Sequence, residues 1–152
     1  MEYTKIDKKH LLVRLDPDDE IVASLMKVAV AEKLELAMVQ GLGAVKKAVI
    51  GVYNVPEQKY YANTLEGAFE MLSLTGTLDT MNGQPYSHLH IALGDEQGLA
   101  HGGLVGDFPV PGVGLVGAYN LEIPAGLGPG GGGDVHLDAG ADVHLLVGEL
   151  AL

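Results

Sequence analysis

Ser87-His88-Leu89-His90-Ile91-Ala92-Leu93 alternates polar and apolar residues with a period of two, the pattern of a half-buried strand. Side chains two apart on a strand share a face, so His88 and His90 project together, about 6–7 Å apart, while Leu89, Ile91 and Leu93 face the other way. Two imidazoles so placed can grip one metal ion, zinc or another divalent cation.

Working outward, Met81-Asn82-Gly83-Gln84-Pro85 carries an Asn-Gly turn signal, which predicts a hairpin between the histidine strand and a strand over Phe69–Leu78. Alternation there puts Leu72, Leu74 and Leu78 on one face and Met71, Ser73, Thr75 and Thr77 on the other. On the far side, Gly94-Asp95-Glu96-Gln97-Gly98 turns the chain into a strand over Leu99–Val105. If that turn pairs Leu93 with Leu99, position 104 shares the face of His88 and His101 lies on the core face. A one-residue slip or a bulge at Gly102-Gly103 reverses this and brings His101 to the pair.

Nearer the N-terminus, Lys9–Leu15 reads as a first strand. Asp16 is a helix N-cap, Pro17 suits the first helical position, and Asp18, Asp19 and Glu20 suit the positive end of the dipole. Ile21, Val22, Leu25, Val28 and Ala29 recur at helical spacing to about Lys33, giving one stripe that covers a sheet. Glu35–Val39 and Val45–Tyr53 read as two strands joined by a Gly41-Leu42-Gly43 turn and paired with each other. That G-x-G lacks the third glycine and following helix of a dinucleotide fingerprint. Tyr60–Thr64 is a further short strand, after a loop over Val55–Lys59.

The chain has 152 residues, 47% of them hydrophobic, enough for one domain that buries about two thirds of its unfolded surface. No apolar run is long enough to span a bilayer and Met1–His10 is too charged for a signal peptide, so the expectation is a cytoplasmic protein with no membrane contact. There is no cysteine, which leaves histidine and carboxylate as the metal ligands available. The net charge of −11 is unevenly placed. All nine Lys and Arg lie between Lys5 and Lys59, against nine acids in residues 1–59, while residues 60–152 carry eleven acids and no base. Such a surface repels phosphate, and direct DNA contact is disfavoured, with no nucleic-acid-binding residue to nominate.

After Val105, glycine and proline are dense to Gly133, and only Gly114–Ile123 looks like another strand. The expected division is a domain over 1–123 and a Gly-rich, acidic, weakly ordered tail over 124–152. Within the tail Asp134-Val135-His136-Leu137 recurs as Asp142-Val143-His144-Leu145.

Four ordered blocks then carry a family resemblance: Leu12-Val13-Arg14-Leu15-Asp16-Pro17, Gly41-Leu42-Gly43-Ala44-Val45, Glu66 through Thr77, and His88-Leu89-His90 followed by Gly102-Gly103. Over roughly residues 10–105 the chain resembles the PPC domain, conserved between plants and prokaryotes and found beside AT-hooks in plant nuclear proteins. The resemblance implies an α+β fold, a mostly antiparallel sheet packed by one main helix, assembled as a homotrimer. Its members are commonly described as candidate DNA-binding proteins. It also implies a metal-capable triad of the H-x-H pair and a histidine directly after the glycine pair. Here Leu104 stands in that place, and the nearby histidine is His101.

Two function classes follow. The first is a non-enzymatic trimeric module, DNA-associated through partners or regulatory, with its histidines as hydrogen-bonding residues near a subunit boundary. The second is a metal-dependent small-molecule enzyme or sensor, with His88, His90 and His101 as ligands and Glu70, or Asp95 or Glu96 in the adjoining turn, as the acid-base group. Nucleophilic catalysis has no support, since there is neither cysteine nor a G-x-S-x-G elbow.

Overall fold

A computed structural model describes residues 1–105 together with the strand segments 137–139 and 143–149. The strands are β1 (Glu2–Lys5), β2 (His10–Leu15), β3 (Ala37–Asn54), β4 (Lys59–Met81), β5 (Gln84–Gly94), β6 (Ala100–Val105), β7 (Leu137–Ala139) and β8 (Val143–Glu149), with one helix, α1 (Ile21–Glu32), between β2 and β3. All pairings are antiparallel, in the order β1-β2-β8-β3-β4-β5-β6. The α+β expectation holds.

β3 organises the sheet. One edge runs along β4 from Ala37↔Leu78 to Asn54↔Lys59. The other edge serves three neighbours in turn: β8 against Ala37–Leu42, β7 against Val45–Ala48, and β6 against Ile50 and Gly51. The last pairing closes β3, β4, β5 and β6 into a small barrel. The barrel closes where backbones meet without side chains, since a Cβ on Gly103 would stand 2.7 Å from the Gly51 carbonyl oxygen. The Tyr60 hydroxyl donates to the Leu104 carbonyl across the seam at 2.7 Å.

Three local readings change. Gly41-Leu42-Gly43 is not a turn: it is a register irregularity inside the single strand β3, so the two expected strands are one and do not pair. A Cβ on Gly41 would come within 2.4 Å of the Leu145 side chain, which explains glycine in the middle of a strand. Tyr60–Thr64 and Phe69–Leu78 likewise merge into β4. A further irregularity, in β4 between Met71 and Ser73, inverts the expected faces there, burying Met71 and leaving Leu72 51% exposed.

The helix also starts later than its acidic run suggests. Asp16 is occupied elsewhere, accepting from the Met1 ammonium and the Arg14 guanidinium at 2.7 Å each. Asp19 accepts from the Asp16 N–H at 2.9 Å, and Glu20 becomes the N-cap, accepting from the Val22 and Ala23 N–H groups. At the other end Lys33 takes the left-handed conformation and Leu34 donates to the Ala29 carbonyl at 2.9 Å.

α1 buries Ile21, Leu25, Val28 and Ala29 in one core with Val13, Leu15, Val39, Leu74, Leu89, Leu93, Leu145 and Val147. Leu145 and Val147 belong to β8, which lies between β2 and β3. Val143, His144 and Leu145 of the second Asp-Val-His-Leu segment therefore lie in a strand inside the sheet. The expected strand over Gly114–Ile123 and the Gly130–Gly133 run lie outside the described residues. No helix among the described residues is long and apolar enough to cross a membrane.

Candidate functional site

The Asn82-Gly83 hairpin forms as the dipeptide predicts, with both residues at positive φ and Met81 paired with Gln84. It sets His88 opposite Thr77 and His90 opposite Thr75. Leu89 and Ile91 are buried behind them. The two imidazoles thus lie on the sheet face away from the helix, with ring centres 5.1 Å apart and Nε2 atoms 3.1 Å apart. Two nitrogens bound to one tetrahedral zinc at about 2.05 Å would be about 3.3 Å apart, so the spacing suits a shared cation. Without one, the contact is a hydrogen bond between a protonated and an unprotonated nitrogen.

The described residues do not complete a metal shell around the pair. Leu104 lies directly across from His90, where an apolar side chain offers no ligand. Among the described residues no three His, Cys, Asp or Glu side chains converge. Among the described residues, the donor set at the pair is half of a tetrahedral shell.

Two further groups, which alternation did not single out, sit beside the pair. Asp79 and Tyr86 face each other across β4 and β5. Burial holds the Asp79 carboxyl above its ordinary range, opposed by the nearby His88. Burial also raises the Tyr86 hydroxyl, with Asp79 adding to it. His88 moves the other way, lowered first by burial, then by His90, and partly restored by Asp79. The environment therefore favours an uncharged imidazole at His88.

His101 stands apart. The β5–β6 register pairs it with Leu93 rather than Ile91, two residues off the sequence expectation, so its face is the expected one, opposite to the histidine pair. Its Nε2 lies 2.8 Å from Asp95 Oδ2, and its ring meets Phe69 edge-on at 6.0 Å between centres. Asp95 also accepts from the Gln97 and Leu99 N–H groups at 2.9 Å each, which shapes the turn. Those bonds, led by that of His101, hold its carboxyl below the usual range.

Glu70 is opposite Gly94 and lines a hollow of about 500 Å³ with Lys46, Phe69, Asp95 and Glu96. It is five residues along β4 from Thr75, about 16 Å. The three candidate carboxylates come together, but at the far end of the strand from His88 and His90.

Comparison with known proteins fits this architecture. The family model of the Plants and Prokaryotes Conserved (PCC) domain matches residues 1–118. No curated protein matches the chain. Among solved structures, a Bacteroides thetaiotaomicron protein described as a "putative dna binding protein" is 20% identical with a TM-score of 0.76, covering 99% of this chain and 85% of its own. A plant- and prokaryote-conserved protein of Pyrococcus horikoshii is 21% identical with a TM-score of 0.70, covering 95% and 80%. A metal-containing protein of Archaeoglobus fulgidus is 21% identical with a TM-score of 0.70, covering 99% and 86%. At these identities the structures establish the fold alone, whereas the family model spans most of the sequence: the chain belongs to the plants and prokaryotes conserved domain family.

Proposed function

We propose that the protein is a non-enzymatic module that assembles as a homotrimer and acts in DNA-associated regulation through a partner instead of its own surface. The observation that carries this reading is the state of its cations. Lys5 bridges Glu32, Arg14 bridges Glu2 and Asp16, Lys46 bridges Asp18, and Lys47 bridges Glu66. Four of the nine bases are thus engaged by the protein's own acids, and the rest are set in a chain of net charge −11, a balance that disfavours phosphate. The description of the Bacteroides relative supports the association with DNA. A titration of duplex DNA at about 50 mM salt, where phosphate contacts are strongest, should give no binding at micromolar protein. Tight, salt-sensitive binding there would overturn the reading.

The 3.1 Å approach of His88 Nε2 to His90 Nε2 favours one second reading, a metal-dependent sensor. The two histidines supply half the shell and a neighbouring subunit supplies the rest. Metal analysis of untagged protein should then show bound metal that His88→Ala removes. Equal content in both forms would dismiss it.

A further inference from the structure

Two exposed apolar surfaces lie at opposite ends of β3. The first is on the face away from the helix, where Leu12, Met38, Leu42, Leu72 and Leu146 are 38–63% exposed. One lateral row crosses it through Leu12↔Leu146, Leu146↔Gln40, Gln40↔Thr75 and Thr75↔His90. Between these strands is a hollow of about 510 Å³, and no Lys, Arg, Asp or Glu among the described residues lines it. The second is the tip of the β3–β4 hairpin. There Val52 and Tyr61 are paired, and Val52, Val55 and Tyr61 are 66%, 69% and 45% exposed. Ala48 and Ile50, on the same side of β3 as Val52, are buried, so the tip continues a core stripe past the end of the core.

We propose that the hairpin tip of one subunit seats in this hollow on a second copy of the chain. The inference deepens the assembly part of the function proposed above and rests on it. Ten residues of β3 separate Leu42 from Val52, about 33 Å, so the two surfaces cannot meet within one chain. Copies that each carry −11 repel one another, and the hollow, which carries no formal charge, is where a second copy meets least repulsion; the tip's own two charges, Glu57 and Lys59, are both engaged on Tyr61, one at its hydroxyl and the other over its ring. An acidic or nucleic-acid partner would find no cation in the hollow, whereas the tip offers two valines and a tyrosine of matching chemistry. Because the two surfaces differ, the contact is heterologous, and a heterologous contact that closes gives a ring.

The absence of cysteine makes the test clean. Val55→Cys and Leu72→Cys are made singly, mixed under mild oxidant, and combined in one chain, while light scattering gives the mass of the wild type. The expected result is an oligomeric wild type, a covalent dimer from the mixture but from neither single variant, and covalent oligomers from the double variant. Leu72→Asp should leave the subunit folded by circular dichroism and weaken assembly at least tenfold. A monomeric wild type would overturn this inference together with the assembly reading. An oligomer that Leu72→Asp does not weaken, or a single variant that cross-links to itself, would overturn the tip-in-hollow contact alone.

Discussion

The two histidine sites of the β5–β6 hairpin use one side-chain type in two ways. His88 and His90 share the face away from the helix, and their Nε2 atoms lie 3.1 Å apart. His101, on the other face, is held by Asp95, which also ties down the Gln97 and Leu99 N–H groups. Two imidazoles aimed at each other are complete only when a proton or a cation lies between them, whereas an imidazole held by a carboxylate within a hydrogen-bonded turn is already satisfied. The difference separates the two: the His101 Nε2 is met by Asp95 within the turn, whereas the Nε2 atoms of His88 and His90 face each other.

The sharpest way to break the comparison is Gly76→Ala. Gly76 pairs with Leu89, between the two histidines, and a Cβ there would stand 1.9 Å from the His88 carbonyl oxygen. The strands must separate at that point, for a loss of about 3 kcal/mol, the upper end of overpacking costs. Urea denaturation measures the loss. In histidine NMR spectra the His88 and His90 signals should move while His101, anchored at the other end of β5, stays. Equal displacement of all three would mean the sites are not independent.

Period-two alternation finds the His88–His90 face, and the Asn82-Gly83 dipeptide finds the hairpin, because both depend on residues close in sequence. It failed where distant packing decides. Glycines inside Gly41-Leu42-Gly43 fit a turn or a bulge equally well, and the choice is made by Leu145, about a hundred residues away. The irregularity after Met71 reverses the faces of two residues with no local mark. The helix start shifts because Met1 and Arg14 engage Asp16. Of the site, the pair is legible, and so is the place of Tyr86 two residues before His88 on the same face, whereas Asp79 becomes a neighbour of His88 only through the hairpin register. His101 kept its predicted face despite a two-residue offset, because a shift by two preserves parity.

Asp95→Asn gives a smaller effect with a pH signature. The Asp95 carboxyl is lowered in the folded chain, by His101 first and then by backbone donors. Its stabilisation is therefore present above the unfolded value near 4 and is lost as pH falls through the lower folded value. Melting temperatures of wild type and variant should differ most at neutral pH and converge in acid. No gap at any pH would show that Asp95 contributes only turn geometry, which the asparagine preserves.

His88→Asn should have the smallest effect, with the same sign as Asp95 but in a higher pH window. Burial and His90 lower the folded-state pKa of His88, so below the unfolded value of about 6.5 the unfolded chain takes up a proton that the folded chain resists. Wild-type stability therefore falls as pH drops from about 6.5 through the folded value, and His88→Asn removes that part of the slope. Asp79 acts in reverse at lower pH. Its carboxyl is raised by burial, so the folded form takes up a proton first and gains relative to the unfolded chain as pH falls through that window. Thermal melts of wild type, His88→Asn and Asp79→Asn between pH 4 and 8 separate the two contributions by sign. If His88→Asn leaves the slope between pH 5 and 7 unchanged, the pair is solvated like any surface imidazole, and its contrast with His101 reduces to geometry alone.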